Sequence, residues 1–296
     1  MTGTNGINGT AGWAMRTRNV LISLLMPGVL CVGPRPAHAW APDGHIIVAH
    51  IAELRLTPEA QQRIDAMLNG DRKAGKPVRI SDERFCNWAD YVRKERSESA
   101  PWHFVDIPFQ AEGYDPVRDC ARHHGCVVEA VRDFSRLIGD PDVGQTERVE
   151  ALKFLVHFVA DLHQPLHCAE RHGDKGGNLC VVTFPGIAKP QKLHVVWDVH
   201  LVQKNMHFHR MDALSFAELL NSRITKEQEA VWKQGTPADW AWESHVVAVT
   251  KTYATIPAGG GKILSRDYVE TNQSVVDGQF KKAGIRLAEL LNQAFR

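Results

Sequence analysis

The chain has 296 residues, 44% of them hydrophobic, enough to bury a sizeable core in one large domain or two small ones. It carries 35 Lys+Arg against 34 Asp+Glu, and loss of the leader described next would remove Arg16, Arg18 and Arg35, leaving a net charge near −2. That balance excludes a protein that grips duplex nucleic acid by neutralising phosphates; an anionic substrate would need positive charge from something bound.

The leader comes first in chain order. Residues 1–14 are rich in Gly, Thr and Asn and read as unstructured. Arg16 and Arg18 then precede an apolar run from Val20 to Val32, a Pro break and the triplet Ala37-His38-Ala39. A basic start, a short apolar run and a small-x-small site make a secretory signal peptide cut after Ala39. An apolar run of about thirteen residues is too short to span a bilayer, which takes about twenty. Initiation at Met15 gives a more usual leader length and makes residues 1–14 an artefactual extension. Leu30 is bulky where lipid attachment at Cys31 would need a small residue. The expectation is a secreted or periplasmic protein of residues 40–296, monomeric and without a membrane anchor.

Residues 45–56 and 57–68 read as two helices, the second with Thr57 as N-cap, Pro58 in its first turn and Gly70 past its end. Helices are also expected at 81–96, 126–139 and 146–164. The last has an apolar stripe at 152, 155, 156 and 159 and stops at Pro165. Residues 178–184 are the best strand, one arm of a small hairpin. The stretches 192–210, 214–234, 238–253 and 267–294 are mostly helical. The fold class is therefore mainly α, a single compact multi-helix domain with a small β-hairpin.

Five cysteines follow the leader in a disulfide-permissive setting. Cys120 and Cys126 can close one tight loop and Cys168 and Cys180 a second, with Cys86 left as a buried thiol beside Trp88. Spacing alone leaves the connectivity open.

Chemistry concentrates in FLVHFVADLHQPLH, residues 154–167. His157 and Asp161 are four apart and so project from one helix face, while His167 lies past Pro165, where the chain can fold back. The same spacing recurs in LHVVWDVH with His194 and Asp198. Imidazole and carboxylate at i and i+4 suit a divalent ion such as zinc. Asp90, His103 and His45 are further ligand candidates. His123, His124, His172, His207, His209 and His245 fit capped or partly exposed positions on amphipathic helices. His157 does not, because it interrupts an apolar face where an imidazole needs a partner.

Seven motifs in order carry a resemblance over essentially the whole of 40–296. They are Trp40 with Gly44-His45, Trp88-Ala89-Asp90 with Arg93, His103-Phe104 with Asp106, the Arg118–Cys126 run, Phe154 to His167, Gly176-Gly177-Asn178, and Leu193 to Asp198. On these residues the chain resembles the zinc-dependent, single-strand-preferring nucleases of the S-one/P-one family, as a bacterial member. The resemblance implies a phospholipase C/nuclease-like fold and three Zn²⁺ ions per chain. It implies one zinc on Asp90, His103, His157 and Asp161, and a second on His167, His194 and Asp198. The third would take His45, Asp161 as a bridging carboxylate, and the α-amino and carbonyl groups of Trp40, whose amine is free only after cleavage at Ala39.

The activity so implied is cleavage of single-stranded DNA and RNA to 5′-phosphorylated products, with removal of 3′-phosphates from nucleotides, by a zinc-bridging hydroxide. Asp90, Asp161 and Arg93 are the catalytic candidates, Arg93 by orienting Asp90 or touching phosphate. Phe104 would stack on an unpaired base, Asp106 would bond its edge, and Asn178 would contact substrate. Mould members carry a long-range disulfide with no counterpart here, for which Cys168 and Cys180 would be a local substitute. Two rivals share the ligands: a phospholipase C-like enzyme, disfavoured by Phe104-Val105-Asp106 and the Gly-Gly-Asn loop, and a non-catalytic zinc-binding protein.

Overall fold

A computed structural model describes residues 40–68, 77–120 and 125–296. The signal peptide, Gly70, His123 and His124 lie outside the described residues. The helices are α1 (Pro42–Glu53), α2 (Pro58–Leu68), α3 (Glu83–Cys86), α4 (Trp88–Val92), α5 (Pro116–Asp119), α6 (Val127–Leu137) and α7 (Gln145–Leu162). There follow α8 (Leu193–Val195), α9 (Val202–His209), α10 (Ala213–Ser222), α11 (Lys226–Trp232), α12 (Pro237–Val247) and α13 (Arg266–Ala294). The architecture is mainly α, as expected.

Local chemistry sets most of the boundaries. Thr57 Oγ accepts the Ala60 N–H at 3.2 Å, and Pro58, which has no N–H to lose, opens α2. Capping boxes start α11 (Thr225 with Gln228) and α12 (Thr236 with Asp239), and Ser265 caps α13. Ahead of Pro165 the chain turns extended at Gln164 (φ −83°, ψ 114°), which ends α7 and starts a 3₁₀ turn at Pro165–Cys168.

The single helix expected over 81–96 is two. Asn87 breaks it at φ −100°, ψ 7°, and its side-chain N–H donates to the Glu83 carbonyl at 2.9 Å. The Cys86 carbonyl meanwhile accepts from His157 Nδ1 at 2.8 Å. A 3₁₀ turn at Ser97–His103 follows.

Helix α7 is the spine. The sequence shows a stripe, yet every residue from Phe154 to Leu162 is buried, because α1, α3, α4, α6, α12 and α13 all pack against this helix. Phe134, Phe154 and Phe158 stack at 4.8 and 5.3 Å, and Trp88 and Trp102 meet Phe154 edge-on at 5.0 and 5.8 Å. These rings form an apolar floor under the polar half of the helix. His103 stands on Phe158 at 4.9 Å.

The expected hairpin forms and gains a third strand. β1 (Val181–Thr183) pairs antiparallel with β2 (Gln191–Lys192), Val181 opposite Lys192. β3 (Lys262–Ile263) joins the other edge of β1 in parallel, giving the order β2-β1-β3. β2 runs without a break into α8 and then a π-helical turn, Val196–Leu201, so the sheet anchors the segment that carries His194 and Asp198. No helix among the described residues is long and apolar enough to cross a membrane.

Cys120 and Cys126 are disulfide-bonded, and Cys86 is the buried free thiol expected. The second expected disulfide is not there, since Cys168 and Cys180 are both free. Their sulfurs have other partners: Cys168 donates to the Leu162 carbonyl at 3.3 Å, and Cys180 lies 3.6 Å from Arg171 Nη2. The loop between them is held by Arg171 instead, which donates to the carbonyls of Ile256 and Pro257 and lies over Tyr253.

Candidate metal centre

One helical turn of α7 presents His157 and Asp161 together, both fully buried. With its Nδ1 tied to the Cys86 carbonyl, His157 aims Nε2 at Asp161 Oδ2 (3.3 Å) and Asp90 Oδ1 (3.9 Å). Asp90 comes from α4, just past the Asn87 break. His103, at the end of its 3₁₀ turn, brings Nδ1 to 2.9 Å from Asp161 Oδ2 and 3.8 Å from Asp90 Oδ1. From α1, His45 stacks on His157 at 4.0 Å and places Nε2 3.2 Å from the other Asp161 oxygen, Oδ1. Asp161 thus splits its two oxygens between two groups of imidazoles.

A second cluster begins one turn beyond. His167 and His194 face each other Nε2 to Nε2 at 3.3 Å, and Asp198 Oδ2 lies 3.1 Å from His194 Nε2. Each ring is oriented from behind by a backbone carbonyl, His167 Nδ1 by His103 (2.8 Å) and His194 Nδ1 by Gly176 (2.7 Å). Gly176 has φ +58°, and a Cβ there would sit 2.3 Å from the Leu166 carbonyl oxygen, so only glycine lets this loop close on the ligand turn. The clusters adjoin, with His167 Nδ1 3.8 Å from Asp161 Oδ1.

Three groupings therefore have metal-ligand geometry: His45/His157/Asp161, Asp90/His103/His157 and His167/His194/Asp198. Their electrostatics fit a cation. Three carboxylates share a buried site, and burial alone would lower His157, yet the charges of Asp161 and Asp90 raise it to about 9. Asp161 is driven the other way. Burial pushes its pKa up, but His157, His103 and His45 hold it well below the usual carboxylate range. Burial pulls His45 down, and pulls His167 down to about 4. His157 Nε2 is buried and aimed at Asp161 and Asp90 without a well-formed hydrogen bond, a position from which it can exchange its proton for a metal ion. Nitrogen and carboxylate oxygen donors of this kind, with the second ring nitrogen fixed by a carbonyl, are the chemistry of zinc sites. The three His/Asp triads match a trinuclear Zn²⁺ site.

Trp40 is fully buried beside this cluster. Its indole N–H donates to the Ala160 carbonyl at 2.9 Å, its ring lies 4.7 Å from Phe280, and the adjacent Ala41 N–H donates to the Asp198 carbonyl at 3.0 Å. Gly44 lets the indole pack, since a Cβ there would come 2.7 Å from Trp40 Cβ. Phe104 and Asp106 follow ligand His103 on an extended segment. Val105 and Ile107 are buried while Phe104 and Asp106 are half-buried, so alternation puts the latter two on one face. The half-buried Arg93 donates to the Ala100 carbonyl at 3.4 Å, which braces the turn ahead of His103. Asn178 donates to the Lys175 carbonyl at 3.0 Å, and its buried Oδ1 has no hydrogen-bond partner.

Sequence reasoning missed the carbonyls of Cys86, His103 and Gly176, which no side-chain pattern reports. It also missed Gln164, whose amide donates to Asp198. His163 is structural: Nδ1 is bound to the Val159 carbonyl and Nε2 to Arg286. His245 is buried rather than partly exposed, with Nδ1 on the Cys168 carbonyl.

The fold and these triads define a helical protein built around a trinuclear zinc site. The S1/P1 Nuclease family model matches residues 40–296. The chain is 28% identical to Endonuclease 1 of Arabidopsis thaliana over 95% of each chain. It is 30% identical to Nuclease P1 of Penicillium citrinum, covering 86% of this chain and 97% of that one. Against Nuclease S1 of Aspergillus oryzae it is 29% identical, covering 86% and 91%. The chain belongs to the S1/P1 nuclease family.

Proposed function

We propose that this protein is an exported zinc-dependent phosphodiesterase that cuts single-stranded DNA and RNA to 5′-phosphorylated products and also removes 3′-phosphates from nucleotides. The observation that carries the reading is the division of the Asp161 oxygens between His45 on one side and His103 with His157 on the other. It suits a carboxylate bridging two ions, with Asp90 completing the His103/His157 side and the Trp40 amine and carbonyl completing the His45 side. His167, His194 and Asp198 would hold the third. The family relationship and the helical architecture favour a phospholipase C/nuclease type of domain.

Zinc in such a site supplies an acidified water at neutral pH and charge stabilisation for the leaving O3′. Three Zn²⁺ against Asp90, Asp161 and Asp198 also supply the positive charge that the chain's own side chains lack. Phe104 offers a face to an unpaired base and Asp106 accepts from its edge. Stacking of this kind contributes about 1–3 kcal/mol per base, and only an unstacked base can use it. Asn178 would contact substrate from the end of the glycine loop, and Arg93 keeps the Asp90/His103 region in register. A Trp40 amine requires removal of the leader, and the family match that starts at Trp40 and the Cys120–Cys126 disulfide both support export of the mature chain.

The test incubates purified mature protein with single-stranded and duplex DNA, with and without chelator, and determines the product ends. Faster loss of the single strand, 5′-phosphate ends and abolition by chelator are expected. Products with 3′-phosphates, or release of phosphocholine from lecithin without acid-soluble nucleotides, would overturn the reading. Tight zinc with no hydrolysis would make the protein a zinc binder only. Extra residues before Trp40 should cost one zinc and most activity.

A further inference from the structure

Gln164 is fully buried between the two metal clusters. Its backbone N–H donates to the Asp161 carbonyl and its own carbonyl accepts from His167 N–H, both at 2.9 Å. In the side chain, Oε1 accepts from Leu166 N–H at 2.6 Å, and Nε2 donates to Asp198 Oδ1. The other Asp198 oxygen is the one that faces His194. One residue is therefore hydrogen-bonded to the backbone of two ligands and to the carboxylate of a third.

Only an amide fits both ends, because it carries an acceptor and a donor a fixed distance apart. A carboxylate here would keep the bond to Leu166 but set a second negative charge against Asp198. A thioether of the same length would make neither bond. Engaging Oδ1 turns the carboxylate so that Oδ2 is the oxygen presented beside His194.

We propose that Gln164 is a positioning residue of the His167/His194/Asp198 triad: it fixes the orientation of Asp198 and thereby sets the affinity of that one ion. The inference rests on the reading of this triad as a zinc site. Partners that orient a ligand from behind are worth roughly 10–100-fold in metal affinity.

The experiment measures zinc content, zinc release to chelators of graded strength, and thermal melting for wild type, Gln164→Met and Gln164→Glu. Wild type should hold three zincs. Both variants should keep two tightly and bind the third about 10–100-fold more weakly, while their metal-free melting temperatures stay near each other. Gln164→Glu is decisive because it preserves the Leu166 bond. If it holds all three zincs as wild type does, Gln164 only caps the turn and the proposal fails. Simultaneous weakening of all three ions would likewise mean a general defect in the fold and overturn it. Should Gln164→Met not fold, Gln164→Glu alone decides between these outcomes. A wild type with fewer than three zincs would sink the site reading itself, and this inference with it.

Discussion

His157 and His163 stand six residues apart at the end of one helix, and both are buried. Each ties Nδ1 to a backbone carbonyl, Cys86 at 2.8 Å and Val159 at 2.7 Å. They differ in what meets Nε2. For His157 it is the carboxylates of Asp161 and Asp90; for His163 it is the Arg286 guanidinium at 2.9 Å, itself paired to both oxygens of Glu243. Burial lowers both rings, but the carboxylates reverse the effect and raise His157 to about 9, whereas Arg286 adds to it and His163 falls well below its ordinary value. A buried histidine is thus made a ligand or a strut by the sign of the charge at its second nitrogen.

The strongest way to break this contrast is Asp161→Asn. It removes the charge shared by both imidazole groups, so zinc content should fall from three toward one. Affinity at the lost sites should drop by more than the ~100-fold attached to an orienting partner, and nuclease activity should vanish. Retention of three tight zincs would show that Asp161 is not the shared ligand.

Proton release sharpens the same point. His157, raised to about 9 in the metal-free protein, must shed its proton to coordinate. Zinc binding at pH 7 should release at least one proton per chain, and affinity should weaken as pH falls. Calorimetry in buffers of different ionisation enthalpy reads this directly; buffer-independent heats would count against it.

On the other side of the comparison, His163→Ala should leave zinc content unchanged. It strands a buried Arg286 N–H and should lower stability by about 1–3 kcal/mol, seen in denaturant unfolding. Loss of zinc instead would merge the two histidines into one functional class.

The smallest effect concerns Asp277 on α13, which accepts from Asn205 at 2.7 Å and is raised by burial to about 6. A carboxyl whose folded pKa exceeds its unfolded value leaves stability intact at low pH and erodes it as pH climbs from about 4 to about 6. Asp277→Asn should therefore raise the melting temperature at pH 8 and leave it nearly unchanged at pH 4. Zinc content should not move.

What the sequence disclosed follows from what a pattern can carry. His157/Asp161 and His194/Asp198 were legible because i and i+4 fix a shared face before any tertiary contact exists. Thr57, Pro58 and Pro165 likewise act locally. The break at Asn87 was illegible because it serves His157, seventy-odd positions away, through a backbone carbonyl. β3 is two residues long and shows no alternation, so its pairing with β1 depends on fold context alone. Cys168 and Cys180 looked pairable because spacing describes loop length, whereas the direction of each sulfur is set by Leu162 and Arg171.

The indole of Trp40 reaches Ala160 across 120 positions, and His45 reaches Asp161 across 116. Contacts that distant require a long loop to close, at a cost in chain entropy. The site therefore joins the start of the described chain to its middle, and an ion held by His45 and Asp161 would keep that loop closed. An ion that binds only the folded chain adds to its stability, so stripping zinc should lower the melting temperature as well as activity.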